Sequence, residues 1–516
     1  MDVKWFLKKT NVNMSNSTND SNRLSNDLNA NVNRIKDEFS YPQNKALIVR
    51  DVFIPFIGRE GTILFLEGAA DTKTLEEHIL EPIMAQTGIT PEPAPDGILS
   101  ELMKRILSTA GGQKASLFDE IIRDLLKGNT IICIQGHSEA LSIETPGFES
   151  RAISEPTNEN VLKGPKESFI ESAAANRSLI RKQIKDVRLM TEVVNIGDKS
   201  LREVSILYLK EVADPALVEK IKDKLRQTNS DLVQSISLLE QFIEERQYSL
   251  LPASLLTERP DRACSFLHEG HVVLLMDNSP LAMVLPVTFW ALFHTSEDMH
   301  LRWAYGIFIR VIRIMAVFVA LMTPSLYLAV STYHEEMLPT DLLLAIASTR
   351  ERVPFPAFLE VMIMEVTFEL VREAGIRIPR AIGPTIGIVG ALILGQAAVE
   401  ANIISPILVI IVAMTGLSSF AIPEISFNFV VRIMRFFMLL SANFMGFYGI
   451  ALTLTCVIAY MASFESYGVP FLSPLSPHFR SSKDLIIRPP IRKQWLRPQN
   501  MNPQDPERSQ KPKGNS

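Results

Sequence analysis

The stretch RFFMLLSANFMGFYGIALTLTCVIAYMASFE, from Arg435 to Glu465, decides the class of the C-terminal half of this chain, because no charged residue interrupts it. Three more windows share that property: Arg313 to His334, Arg380 to Glu400, and Glu400 to Glu424. A bilayer core takes about 20 apolar residues as a helix, so each window approaches or exceeds a span. Soluble helices show a polar face every turn, and these windows do not. Four membrane-spanning helices are therefore expected.

Working outward, Leu281 to Phe293 is a shorter apolar run containing Pro286, which reads as an interfacial or re-entrant approach segment. Phe355 to Glu373 carries Glu365, Glu369 and Arg372 at i, i+4 and i+7, hence on one helical face, which suits a membrane surface or a polar interior better than lipid. Arg310, Arg313, Arg432 and Arg435 stand near span ends, where long side chains snorkel to the interface. After the last span come Arg480, Lys483, Arg488, Arg492, Lys493 and Arg497, with Asp484 alone against them. By the positive-inside rule this tail is cytoplasmic. The N-terminus has no apolar segment before a cleavage site, so it is expected to be cytoplasmic too, and the number of spans even: four, or six if both Leu281–Phe293 and Phe355–Glu373 cross.

At 516 residues the chain exceeds one ordinary domain. A net charge of -5 argues against nucleic-acid binding, and Cys133, Cys264 and Cys456 fit neither a disulfide framework nor a zinc finger. Residues 1–34, rich in Asn and Ser, read as a disordered leader. Between leader and membrane, short β-branched runs alternate with charged amphipathic helices, and the pattern occurs twice. Ile63–Leu66 followed by Ala70-Asp71 is echoed by Ile206–Leu209 followed by Ala213-Asp214; Ile131–Ile134, a turn and a second run are echoed by Val272–Leu275, a turn and a second run. The offset, about 140 residues, points to a duplication. The expected fold class is α+β: two similar subdomains, 35–150 and 165–285, followed by an all-α multi-pass membrane domain, 286–465, and a basic tail, 466–516.

No catalytic constellation is present. Gly111-Gly112-Gln113-Lys114 lacks the P-loop spacing, and His268-Glu269-Gly270-His271 lacks the HExxH spacing that puts two imidazoles on one zinc. Neither a cofactor nor a metal is called for, and an enzyme is disfavoured. The informative chemistry lies in the window after Arg380. Gly383, Gly387, Ala391 and Gly395 recur every four positions, a stripe that lets another helix approach closely. The sharper alternative is that this helix, followed by Gln396 and Glu400, repeats around a symmetric assembly and lines a water-filled path. In that case Ile386, Val389 and Ile393 form its narrow apolar ring.

Several strings, in order, resemble one family: Lys163-Gly164-Pro165-Lys166-Glu167-Ser168-Phe169-Ile170-Glu171, Thr257-Glu258-Arg259-Pro260-Asp261, Arg352-Val353-Pro354-Phe355-Pro356, Gly395-Gln396-Ala397-Ala398-Val399-Glu400-Ala401 and Ser419-Phe420-Ala421-Ile422-Pro423. They resemble the A subunits of GerA-type spore germinant receptors. Pro384 and His271 depart from the family pattern, which has Gln and Arg there. The resemblance implies a multi-pass protein of the spore inner membrane with a transporter-like B subunit and a lipoprotein C subunit as partners. It also implies homo-oligomerisation, as a pentamer, into a ligand-gated ion channel that releases cations. A related accessory membrane protein of the dipicolinate-release complex is the alternative reading, and a membrane-bound enzyme the distant one.

Overall fold

The computed structural model describes residues 22–55, 57–85, 98–105, 111–147, 156–161, 163–377, 395–479 and 484–510. Order begins earlier than composition suggests. Helix α1, Leu28–Glu38, is capped by the Asp27 carboxylate and buries Leu28, Val32 and Ile35. The expectation of a leader reaching residue 34 is corrected accordingly: an i, i+4, i+7 apolar stripe outweighs the polar composition around it.

Two five-stranded antiparallel sheets form the soluble region. The first contains β1 (Leu47–Ile54), β2 (Arg59–Leu66), β3 (Gly112–Ala115), β4 (Thr130–Ile134) and β5 (Ala140–Ile143), in the order β1-β2-β4-β5-β3. The second contains β6 (Leu189–Ile196), β7 (Arg202–Leu209), β8 (Leu255–Thr257), β9 (Val272–Met276) and β10 (Ala282–Leu285), in the order β6-β7-β9-β10-β8. The two orders are the same once β1 is set against β6. Strands β4 and β9 are buried at every residue, as continuous apolar runs covered on both faces must be. Around the first sheet lie α1 and α2 (Phe118–Lys127), the latter closed by Gly128 at φ 95°. Around the second lie α3 (Ala173–Gln183), α4 (Pro215–Arg226), α5 (Ile236–Ile243) and α6 (Pro260–Leu267). Lys45 N–H donates to Thr191 O at 2.8 Å and Arg177 pairs with Glu67 at 3.0 Å, joining the two lobes.

Leu281 to Phe293 is no approach segment. Its first half is strand β10, paired on both sides by β9 and β8, and its second half a 3-10 turn, Phe289–Leu292, that buries Ala291 and Leu292. It is short and apolar because it is core, and the core of the second lobe runs on without a break into the membrane-type helices: Leu275, Val284 and Leu292 share one cluster with Ala320, Phe427 and Phe464.

Beyond α7 (Ser296–His300) the helices are α8 (Trp303–Tyr333), α9 (Thr340–Arg350), α10 (Ala357–Arg377), α11 (Pro406–Ser419) and α12 (Ile425–Ser463). Only α8 and α12 among the described residues are long and apolar enough to cross a bilayer, with mean hydropathies of 2.1 and 1.8. Just 28% and 17% of those apolar windows is buried inside the protein, an exposure that water would penalise and lipid would not. Helix α12 is two arms. Gly446 has φ 57° and ψ -133°, and Thr453 Oγ1 donates to Ser441 Oγ at 2.8 Å, although twelve residues of straight helix would separate them by about 18 Å. Phe427 near its start and Phe464 just past its end both pack in the Phe289–Phe471 cluster of the second lobe.

The contacts fix the direction of each helix. Helix α8 leaves the soluble lobe and ends at the tip of the α12 hairpin, where Tyr333 Oη donates to Asn443 O at 2.5 Å. Helix α10 starts at that far end, with Ala357 clustered against Leu328 and Ala442, and returns to the soluble end, where Glu369 meets Arg432. Helix α11 starts far from the lobe, its Ser405 N–H bonded to Glu360 at 2.6 Å, and ends near it at Ser419.

Candidate functional site

Two clusters of buried charge stand at the base of these helices, and neither snorkels. In the first, Thr295 and Asp298 form a capping box at the start of α7, which fixes the Asp298 carboxylate inside the protein at 0% exposure. Arg310 and Arg313, one turn apart on α8, converge on it: Arg310 Nε donates at 3.1 Å and Arg313 Nη1 at 2.9 Å. Arg310 also donates to Asp484 at 2.5 Å, and Arg488 donates to the carbonyls of Asp298, Met299 and Leu301. Burial alone would raise the Asp298 carboxyl; the Arg313 and Arg310 guanidiniums outweigh it and hold the group below the usual carboxylate range. Burial and then the Arg310 charge push the adjacent His294 imidazole down to about 4, so it is neutral near pH 7. A cavity of about 130 Å³ opens beside the cluster, lined by Arg262, Glu269, His294, Arg310, Asp484 and Asn500.

The second cluster lies within the helices. Glu365, Glu369 and Arg372 share a face of α10, as their spacing predicts, and that face meets Arg432 and Arg435 of α12. Arg435 Nη2 is 2.7 Å from Glu369 Oε1 and 3.0 Å from Glu365 Oε2, while Arg432 Nε donates to Glu369 at 3.1 Å and its Nη2 closes on the other oxygen. Arg372 Nη2 donates to Ser419 Oγ on α11 at 2.5 Å. Gly416 permits this approach: a Cβ there would collide with the Phe368 ring. The expectation that Arg310, Arg313, Arg432 and Arg435 reach out to the interface is thus corrected. They are 2%, 10%, 19% and 1% exposed because each faces a carboxylate on a neighbouring element, and a paired guanidinium gains nothing from leaving it. In the basic tail, Arg488 and Arg497 are buried against backbone carbonyls of α7 and the second lobe.

Of the residues singled out in the window after Arg380, Gly383, Ile386, Gly387, Val389, Ala391 and Ile393 lie outside the described residues. Gly395 faces α11 with space for a methyl group, 3.9 Å from Val409. Gln396 and Glu400 are exposed and paired, Nε2 to Oε1 at 3.0 Å, at the end of the helices far from the soluble lobe.

Comparison with known proteins settles the kinship. The family model described as Bacillus/Clostridium GerA spore germination protein matches residues 33–500. The chain belongs to the GerA family. Among curated relatives within or beside it, the chain is similar to spore germination protein KA of Bacillus subtilis (strain 168), 35% identical over 86% of this chain and 81% of that one. It is similar to spore germination protein GerLA of Bacillus cereus at 34%, over 88% and 92%. The crystallised N-terminal domain of the A subunit of the Bacillus megaterium spore germinant receptor GerK3 aligns at 22% identity and a TM-score of 0.39, covering 52% of this chain and 97% of that domain.

For this GerA-family chain, local pattern reveals the α10 carboxylates but not their partners. Asp298 is one of two adjacent acids before the first long helix, with nothing local to set it apart from Glu297, and Glu360, at 0% exposure, falls outside the i, i+4, i+7 series. Asp484 carries the one legible hint, as the single acid in the basic run from Arg480 to Arg497.

Proposed function

We propose that this chain is the A subunit of a nutrient germinant receptor in the spore inner membrane. In this reading it works with a transporter-like B subunit and a lipoprotein C subunit, assembles as a homo-oligomer of five chains, and passes cations when its partner binds nutrient. The observation that carries the reading is the family match over residues 33–500, supported by relatives named as spore germination proteins along 81% and 92% of their own length. The two exposed apolar helices support membrane residence.

The helices run in both directions, with α8 and the first arm of α12 leaving the soluble lobe, and α10, α11 and the second arm of α12 returning. This reading puts both ends of the chain on the cytoplasmic side, as the basic tail favours. The stripe Gly383, Gly387, Ala391 and Gly395 and the ring Ile386, Val389 and Ile393 follow α10 in sequence, and we assign that segment to the ion path. The exposed Glu400 beside Gln396 supports this assignment, because a ring of carboxylates at a pore mouth concentrates cations. The identical strand order of the two sheets supports a duplicated pair of subdomains, 35–150 and 165–285. The chain is read as a coupling subunit and not an enzyme. Deleting its gene should remove the spore's response to at least one nutrient, and restoring the gene should return it. Unchanged germination with every nutrient tested would refute the assignment.

A further inference from the structure

The charge cluster between α10 and α12 does not balance. Arg372, Arg432 and Arg435 face Glu365 and Glu369. The other acids nearby are engaged: Glu373 holds Arg377 at 2.7 Å, and Glu360 holds the Ser405 N–H toward the far end. Residues 378–394, which follow α10, contain Arg380 as their one charged residue, so the adjoining sequence adds cation and no anion. One positive charge is left over.

Arg372 carries it. Glu369 lies against Arg432 and Arg435 and is 3.8 Å from Arg372 Nη1, while Glu365 pairs with Arg435. Nη2 of Arg372 is satisfied by Ser419, but its Nε and Nη1 have no hydrogen-bond partner among the described residues, although the side chain is only 9% exposed. The Phe368 and Phe420 rings lie 5.1 and 4.8 Å from the guanidinium carbon, which offsets part of the lost hydration without filling the donor positions. A buried guanidinium with open donors, whose nearest carboxylate is already shared by two other arginines, is costly unless an anion completes it.

Depth identifies the class of anion. Ser419 is the last residue of α11 and Arg432 lies about 10 Å along α12 from its start, both at the soluble-side ends of the helices. In the membrane reading above, the soluble-side ends of the helices meet the headgroup layer, and guanidinium donors match phosphate oxygens in charge and geometry. We propose that Arg372, with the excess charge behind it, is a binding site for a phosphate oxyanion that completes the cluster and ties α10 to α11 and α12. The inference rests on the membrane reading above but is independent of channel activity.

The full chain, reconstituted in nanodiscs, tests it by thermal unfolding. In phosphatidylcholine, whose phosphate is already paired with its own choline, the wild type should melt lower than in discs containing phosphatidylglycerol, whose phosphate has no internal counter-charge, by several degrees, and Arg372→Gln should lose that difference. Arg377→Gln, at a 78% exposed position, should keep it, which separates the site from general surface attraction. Adding inorganic phosphate to neutral discs, against chloride at equal ionic strength, distinguishes the source. Stabilisation by phosphate indicates a free anion, and stabilisation by phosphatidylglycerol alone indicates a headgroup. Should Arg372→Gln fail to fold, Arg372→Lys should retain a weakened shift. A chain that enters the disc and melts alike in all conditions, or an Arg372→Gln shift equal to wild type, overturns the inference and leaves membrane residence standing. A chain that does not enter the disc overturns both.

Discussion

Asp298 is the residue on which the joint between the soluble lobe and the first long helix turns. It is fully buried and answers two guanidiniums, so its loss leaves Arg313 without a carboxylate and Arg310 with Asp484 alone in a low-dielectric setting. Asp298→Ala should destabilise the chain by about 3–5 kcal/mol, read as a lowered unfolding midpoint in detergent. A change below about 1 kcal/mol would mean that solvent already screens the cluster. Glu269, in the adjoining cavity, makes a pH-dependent contribution of opposite kind. Burial, opposed by the Arg508 charge, pushes its carboxyl from 4.5 up to about 7. The folded chain therefore holds a proton that the unfolded chain has released, and this group's contribution to stability falls as pH rises from 4.5 to about 7, then levels off. Glu269→Gln should remove that part of the slope and melt higher than wild type at pH 8. An unchanged pH profile would show that Glu269 is hydrated in the folded chain. Sequence spacing reveals Glu365, Glu369 and Arg372 as one face because helical period is local, whereas the arginines they meet lie more than 60 residues away and no local rule joins them.

Among the elements, α12 shows where reading windows of charge falls short. The window Arg435 to Glu465 looks like one long span, yet Gly446 divides it into two arms of a hairpin. Hydropathy reports what a residue prefers to touch and says nothing of a reversal made within apolar sequence. At φ 57° and ψ -133° the backbone of Gly446 is one that side-chain-bearing residues avoid, and a Cβ there would lie 3.0 Å from His334 Nε2 and 3.1 Å from Tyr333 Cβ. Gly446→Ala should cost about 1–3 kcal/mol and loosen the tip where α8 ends, seen as a lower unfolding midpoint and faster hydrogen exchange around residues 443–449. Wild-type exchange there would argue against the hairpin. Leu281–Phe293 misleads in the other direction, since a strand buried on both faces is as apolar as a membrane segment of the same length. The β-hairpins themselves are legible, because apolar runs divided by Gly136-His137-Ser138 or Asp277-Asn278-Ser279 have few alternatives.

At the scale of the whole molecule, the core of the second lobe is continuous with the bases of α8 and α12, and the tail returns to clamp that same junction through Asp484, Arg488 and Arg497. A signal reaching the lobe meets the helices through packed side chains and ion pairs and not through a flexible linker. In the proposed assembly five such chains surround one ion path, so a mass measurement of the purified protein in detergent should give five chains, and a monomer at every concentration would count against a shared pore. If, as proposed, this chain passes cations under control of a nutrient signal, cation release from spores carrying the chain with Val389→Ala in the proposed apolar ring reads that activity out. A narrower side chain should widen the ring, so the variant spores should lose cations without nutrient, while Glu400→Gln spores should release them more slowly when nutrient is given. Full cation retention in dormant Val389→Ala spores together with wild-type release rates in Glu400→Gln spores, at normal protein levels, would contradict the account.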